Sequence, residues 1–193
     1  MRLFLAINLP DALRRAAHDA AEPLRAAAPC ASWVREDKLH LTLKFLGDVD
    51  EARLPEVNAA FGAAAARHRA IPLQVARFGA FPNWRRPRIL WAGVAPDPKL
   101  ELLQHDLEVA GEGVGFECEG RPFRPHVTIA RLRTPLGDDE RRALAGAARA
   151  GRLRGEFVAE GVDLMQSDLS AGGAPYRLLA AYPFTAFAPL RSP

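Results

Sequence analysis

Residues 38–49, "KLHLTLKFLGDV", alternate strictly: Leu41, Leu43 and Phe45 take one side, His40, Thr42 and Lys44 the other. Period two is the mark of a β-strand with one face covered and one open. The pattern returns 86 residues later in "RPHVTIAR" (124–131), where His126 and Thr128 share a face over Val127 and Ile129. Side chains at i and i+2 of a strand point the same way. Each motif therefore belongs in a sheet whose apolar face packs under helices. The His/Thr face of each must look into a polar cleft.

Elsewhere the chain alternates between strand-like and helix-like segments. Residues 2–8, "RLFLAIN", read as a buried strand. A helix follows from Pro10 and Asp11, to be ended or kinked at Pro23. "SWV" (32–34) is short and β-like, 51–68 an Ala-rich helix, and 71–81 and 88–94 strands on either side of "PNWRRP". A helix over about 97–110, the loop "GEGVG" (111–115), a helix over about 137–149 and a long strand over 155–169 come next. "AGGAP" gives a turn before the last strand, 176–184. Strand pairs joined by turns (71–94 and 155–184) predict antiparallel sheets with helices on one face, an α+β fold. The 193 residues form a single domain, 1–193, with one motif from each half.

A formal charge of +3 is compatible with a polyanionic partner without requiring one. Lys is confined to Lys38, Lys44 and Lys99, so the Arg-rich stretches reflect base composition, and "NWRRPR" (83–88) reads as solvated surface. Cys30 and Cys118 show neither metal spacing nor a disulfide framework, which suits a reducing cytoplasm. The N-terminus reads as a first strand rather than a signal peptide, and no segment has the length of a membrane span. "GEGVG" lacks the ending of a phosphate-binding loop and reads as a flexible connection.

The twice-used His-x-Thr pattern is the informative feature. Two imidazoles across a cleft suit general acid–base catalysis, one neutral and one protonated. Two Thr hydroxyls can donate to anionic oxygens, as a phosphate ester requires. Two His without a third Cys, Asp or Glu ligand make a poor zinc site. No G-x-S-x-G points to a serine nucleophile. His18, His68 and His105 lie in helical stretches and read as surface residues.

At these residues the chain resembles the 2H phosphoesterase superfamily, and within it the RNA 2′,3′-cyclic phosphodiesterases once called 2′-5′ RNA ligases. The likeness spans "RLFLAINLP", "KLHLTLKFLGDV", "PRILWAGV", "FRPHVTIAR" and the closing "YPF". It implies a bilobal fold of two antiparallel sheets related by a pseudo-twofold, helices outside and a central cleft holding His40, Thr42, His126 and Thr128. It implies metal-free hydrolysis of an RNA 2′,3′-cyclic phosphate to a 2′-phosphomonoester, without cofactor. His40 would protonate the leaving 3′-oxygen and His126 activate water, though the two motifs themselves are too alike to assign the roles. Arg131 would hold the phosphate, which strict alternation opposes unless the strand ends or bulges after Ile129. Arg124 is the second choice. Lys44 would add positive potential from the His40 face. Phe45, Trp33, Phe81 and Trp84 are aromatics able to stack on a base, with Phe45 and Trp33 core residues by default. The implied partner is an RNA with a cyclic phosphate end, tRNA fragments among the candidates, met by a cytoplasmic monomer with no membrane contact. Alternatives are a 2H enzyme acting on a small cyclic nucleotide or ADP-ribose cyclic phosphate, and a non-catalytic RNA-end-binding module.

Overall fold

The computed structural model describes residues 1–167 and 176–185. The strands are β1 (Arg2–Asn8), β2 (Ser32–Trp33), β3 (His40–Asp48), β4 (Ile71–Phe81), β5 (Ile89–Val94), β6 (His126–Arg131), β7 (Arg154–Ala159), β8 (Gly161–Ser167) and β9 (Tyr176–Pro183). The helices are α1 (Asp11–Ala20), α2 (Glu22–Ala27), α3 (Leu54–Ala65), α4 (Pro98–Gly113) and α5 (Asp138–Ala150). Every strand pairing among the described residues is antiparallel, in the order β7-β4-β5-β6-β3-β1-β8-β9, with β2 added beside β6. The two motif strands, β3 and β6, are neighbours at the centre. They meet through a single register pair, Leu41 opposite Val127. Past it β2 takes the place beside β6. The expected two sheets are thus two four-stranded wings, β3-β1-β8-β9 and β6-β5-β4-β7, joined at a narrow seam.

The wings are not the sequence halves. β4 and β5, from the first half, lie in the wing of the second motif, and β8 and β9 return to the wing of the first. The chain crosses at Glu160, so the strand expected over 155–169 is two strands in different wings.

Helices cover one face only. α3 and α4 pack beneath the first wing, against β9 and β3; α1 and α5 pack beneath the second, against β7 and β4, with α2 on α5. Local chemistry sets their limits. The Asp97 carboxylate accepts from the Lys99 and Leu100 amides and starts α4, whose Leu100, Leu103 and Leu107 enter the core. Pro23 sits in the first turn of α2, and the chain breaks at Ala21 just before it. Leu3, Leu5, Leu41, Leu73, Leu90 and Val127 face these helices with essentially no exposure, and truncating one such Leu to Ala costs about 2–5 kcal/mol. The opposite face is open and carries a small buried apolar cluster of Phe4, Ala6 and Met165 backed by Tyr176.

Two loop-level expectations are corrected. "GEGVG" is not a loose connection: Gly111–Gly113 form the last turn of α4, and a Cβ at Gly111 would stand 2.5 Å from Lys44 Cε. His68 is buried, its Nε2–H donating to Asp106 at 2.9 Å, rather than solvated. The "AGGAP" turn (171–175) lies outside the described residues. No helix among the described residues is long and apolar enough to cross a membrane.

Candidate active site

Leu41 and Val127 point into the core, so the residues flanking them point out on the open face. Antiparallel register sets His40 beside Thr128 and Thr42 beside His126. The two histidines become diagonal neighbours, a relation that holds cross-strand residues about 7–8 Å apart. Each imidazole is tethered identically. His40 Nδ1–H donates to the Lys38 carbonyl at 2.7 Å, and His126 Nδ1–H to the Arg124 carbonyl at 2.6 Å. A carbonyl can only accept, so each neutral ring carries its proton on Nδ1 and leaves Nε2 as the free nitrogen.

Aromatic rings hold both imidazoles from the side. Phe4 lies 4.9 Å from His40 and Tyr176 meets it edge-on at 5.2 Å. Phe81 meets His126 edge-on at 4.9 Å and rests on Trp91. Trp91 in turn lies over Gly79, where any Cβ would collide with the indole. Asn8, opposite His40, donates to Asp163 at 2.7 Å. Burial raises the Asp163 carboxyl above its usual range, partly opposed by that bond. Phe4 and Asn8 were readable in the alternation of "RLFLAIN", where Phe4, Ala6 and Asn8 share a face. Only long-range pairing shows that this face adjoins His40.

Both imidazoles have lowered pKa values. For His40 the main cause is burial, opposed by the Lys38 carbonyl and reinforced by the charges of Arg131 and His126. For His126 burial again leads, opposed by the Arg124 carbonyl and reinforced by Arg131. Arg131 is thus felt at both rings.

A β-bulge explains why. On β6, Thr128 faces Trp91 and Ala130 faces Leu90, leaving Ile129 as the extra residue. Alternation is reset there: Ala130 turns into the core, and Arg131 emerges on the face of His126. The first motif has the same device. On β3, Thr42 faces Ala6 and Lys44 faces Leu5, leaving Leu43 extra. This overturns two expectations. Lys44 is not on the His40 face: it is 3% exposed on the core side, with Nζ 2.5 Å from Glu108 Oε2 and 2.8 Å from the Glu117 carbonyl. Phe45 is not core: it is 61% exposed on the His40 face, near Phe4. The motifs correspond residue by residue, so that Lys44 matches Ala130 and Phe45 matches Arg131.

Arg124 brings its carbonyl, and its side chain is exposed. Trp33 is partly buried and donates to the Ala28 carbonyl, and Trp84 packs on the core. Among the described residues no group of three His, Cys, Asp or Glu is placed to hold a metal ion.

Residues 7–91, and again 93–176, match the model of the LigT-like phosphoesterases, one motif in each match. The chain belongs to the LigT-like phosphoesterase family. A relative from Methanothermobacter thermautotrophicus, named an RNA 2′,3′-cyclic phosphodiesterase, is 30% identical over 176 residues, which are 91% of this chain and 95% of the relative. One of the same name from Geobacillus stearothermophilus is 35% identical over 128 residues, 66% of this chain but 41% of that longer protein. The crystal structure of TT0787 of Thermus thermophilus superposes with a TM-score of 0.78 at 28% identity, covering 95% of this chain and 97% of that one. The LigT-like fold accounts for the doubled match: each repeat contributes one motif strand to the seam.

Proposed function

We propose that this chain hydrolyses RNA 2′,3′-cyclic phosphate ends to 2′-phosphomonoesters by acid–base catalysis between His40 and His126. The observation that carries the proposal is the pair of identically tethered imidazoles, diagonal across the seam on one open face. The names of the relatives supply the substrate class.

In the proposed reaction the cyclic phosphate lies over the seam. His126 Nε2 takes a proton from water, whose oxygen bonds to phosphorus. The bond from phosphorus to the 3′-oxygen breaks, and His40 Nε2 gives that oxygen its proton. The 2′-oxygen keeps the phosphate. Thr42 and Thr128 donate to the non-bridging oxygens, and Arg131 balances their growing charge. The leaving oxygen belongs to the terminal ribose, so that nucleoside lies on the wing of the proton donor. The exposed Phe45 ring on that wing supports stacking of its base. No step calls on a metal ion. We place the reaction in the cytoplasm, in keeping with the free, exposed Cys30 and Cys118, and assign it to a monomer. A dimer in sedimentation would contradict the second point.

The test is incubation of an oligoribonucleotide ending in a 2′,3′-cyclic phosphate with and without EDTA, with the product resolved by phosphate position. A 2′-phosphate formed equally in both is expected. A 3′-phosphate, or loss of activity on chelation, would refute the proposal.

A further inference from the structure

Many arginines of this chain have acidic partners. Five on the helices and their caps have theirs three residues away: Arg14 with Asp11, Arg25 with Glu22, Arg53 with Glu56, Arg141 with Asp138 and Arg142 with Asp139. At the far end of the second wing the pattern is the reverse. Ile89 pairs with both Phe81 and Arg131, so the β4–β5 turn (82–88) stands beside the end of β6. Arg85, Arg86, Arg88, Arg131 and Arg133 collect there, all exposed and none with a carboxylate partner among the described residues. The acidic residues that follow closely in sequence are already engaged. Asp138 and Asp139 hold arginines of α5, and Glu140 accepts from the Gly137 amide.

The turn that carries the cluster is held in place. Trp84 packs on the core, Pro87 is buried, and the Asn83 side chain accepts from the Arg85 and Arg86 amides. Arg131 links the cluster to the reacting centre, since its charge reaches both histidines. At about 3.3 Å per residue, β6 carries the line from His126 to Arg131 over about 16 Å, and the turn extends it. Base composition explains how many arginines there are, but not why five of them lie together without counter-ions among the described residues.

We propose that this end of the second wing is a track for the RNA phosphates upstream of the cyclic end. The strand leaves the histidines over Arg131 and runs toward Arg85 and Arg86. The inference rests on the RNA-end reading above and deepens it: the preferred substrate is an oligonucleotide rather than a cyclic mononucleotide. Contacts to phosphates carry affinity without sequence preference and weaken with salt.

The experiment compares wild type with the Arg85→Ala/Arg86→Ala double variant on a cyclic mononucleotide, a dinucleotide and an octamer, each ending in a 2′,3′-cyclic phosphate. KM for the octamer is expected to rise about tenfold in the variant, with kcat and the mononucleotide rate unchanged. The slope of log affinity against log salt for the octamer should fall by about 1.4, at roughly 0.7 per lost single-strand contact. The Arg85→Lys/Arg86→Lys variant should keep most of the octamer affinity, because a phosphate contact needs charge more than shape. Equal KM values for octamer and mononucleotide in wild type, or an unchanged salt slope in the alanine variant, would overturn the track. If wild type hydrolyses none of the three, the cyclic phosphodiesterase reading fails instead, and octamer binding with its salt slope still decides the track.

Discussion

His40 and His126 each commit Nδ1 to a backbone carbonyl, so Nε2 is the only nitrogen either ring offers a substrate. In the free protein both have pKa values below the ordinary 6.5. In the proposed mechanism the productive form carries one proton on the pair and is most populated below that value, so kcat/KM should peak on the acid side of 6.5 and fall above it. A bound anionic phosphate favours the charged imidazole, so the optimum in kcat should lie higher. Arg131 lowers both pKa values. Arg131→Gln should therefore move the kcat/KM optimum to higher pH while lowering the rate about 10²–10³-fold. Steady-state kinetics across pH 4–9 check both; a slower enzyme with an unmoved optimum would show that Arg131 does not face the histidines.

The four His and Thr positions were legible in the sequence because period-two alternation holds from His40 to Leu43 and from His126 to Ile129. It fails one residue later, at each bulge. No Gly or Pro marks either bulge, since Leu43 and Ile129 are ordinary strand residues, so Lys44, Phe45 and Arg131 were all placed on the wrong side by strict counting. What fixes the first bulge is long-range: Lys44 passes under β3 to Glu108, and Glu108 also accepts from the Glu119 amide. The pair therefore ties the bulge to the segment leading into His126. Lys44→Met leaves the largely buried Glu108 carboxylate without its cation and should cost about 3 kcal/mol by urea unfolding. Pairing it with Glu108→Gln should restore most of that. If the double variant is as unstable as the single one, the loss is packing rather than charge. Gly111→Ala presses a methyl group on the same lysine and should cost about 1–3 kcal/mol.

At the scale of the molecule, the α+β class and the open cleft followed from strands with one covered face. The interleaving of the wings did not, because strand partners are chosen by tertiary packing that no local pattern encodes. Nor could the sequence show which arginines lack partners, which is why "NWRRPR" read as plain surface. The architecture places two copies of one motif across a seam, and the central claim is that the copies have opposite duties there. The pH dependence of kcat/KM on a cyclic-phosphate-ended RNA, for wild type, His40→Ala and His126→Ala, tests this most directly. Wild type should give a bell, and each variant should lose about 10²–10⁴-fold. The residual activity of His126→Ala should no longer rise on the acid limb, and that of His40→Ala should no longer fall on the alkaline limb. Full activity in either variant, or a bell retained in both, would contradict the two-histidine account.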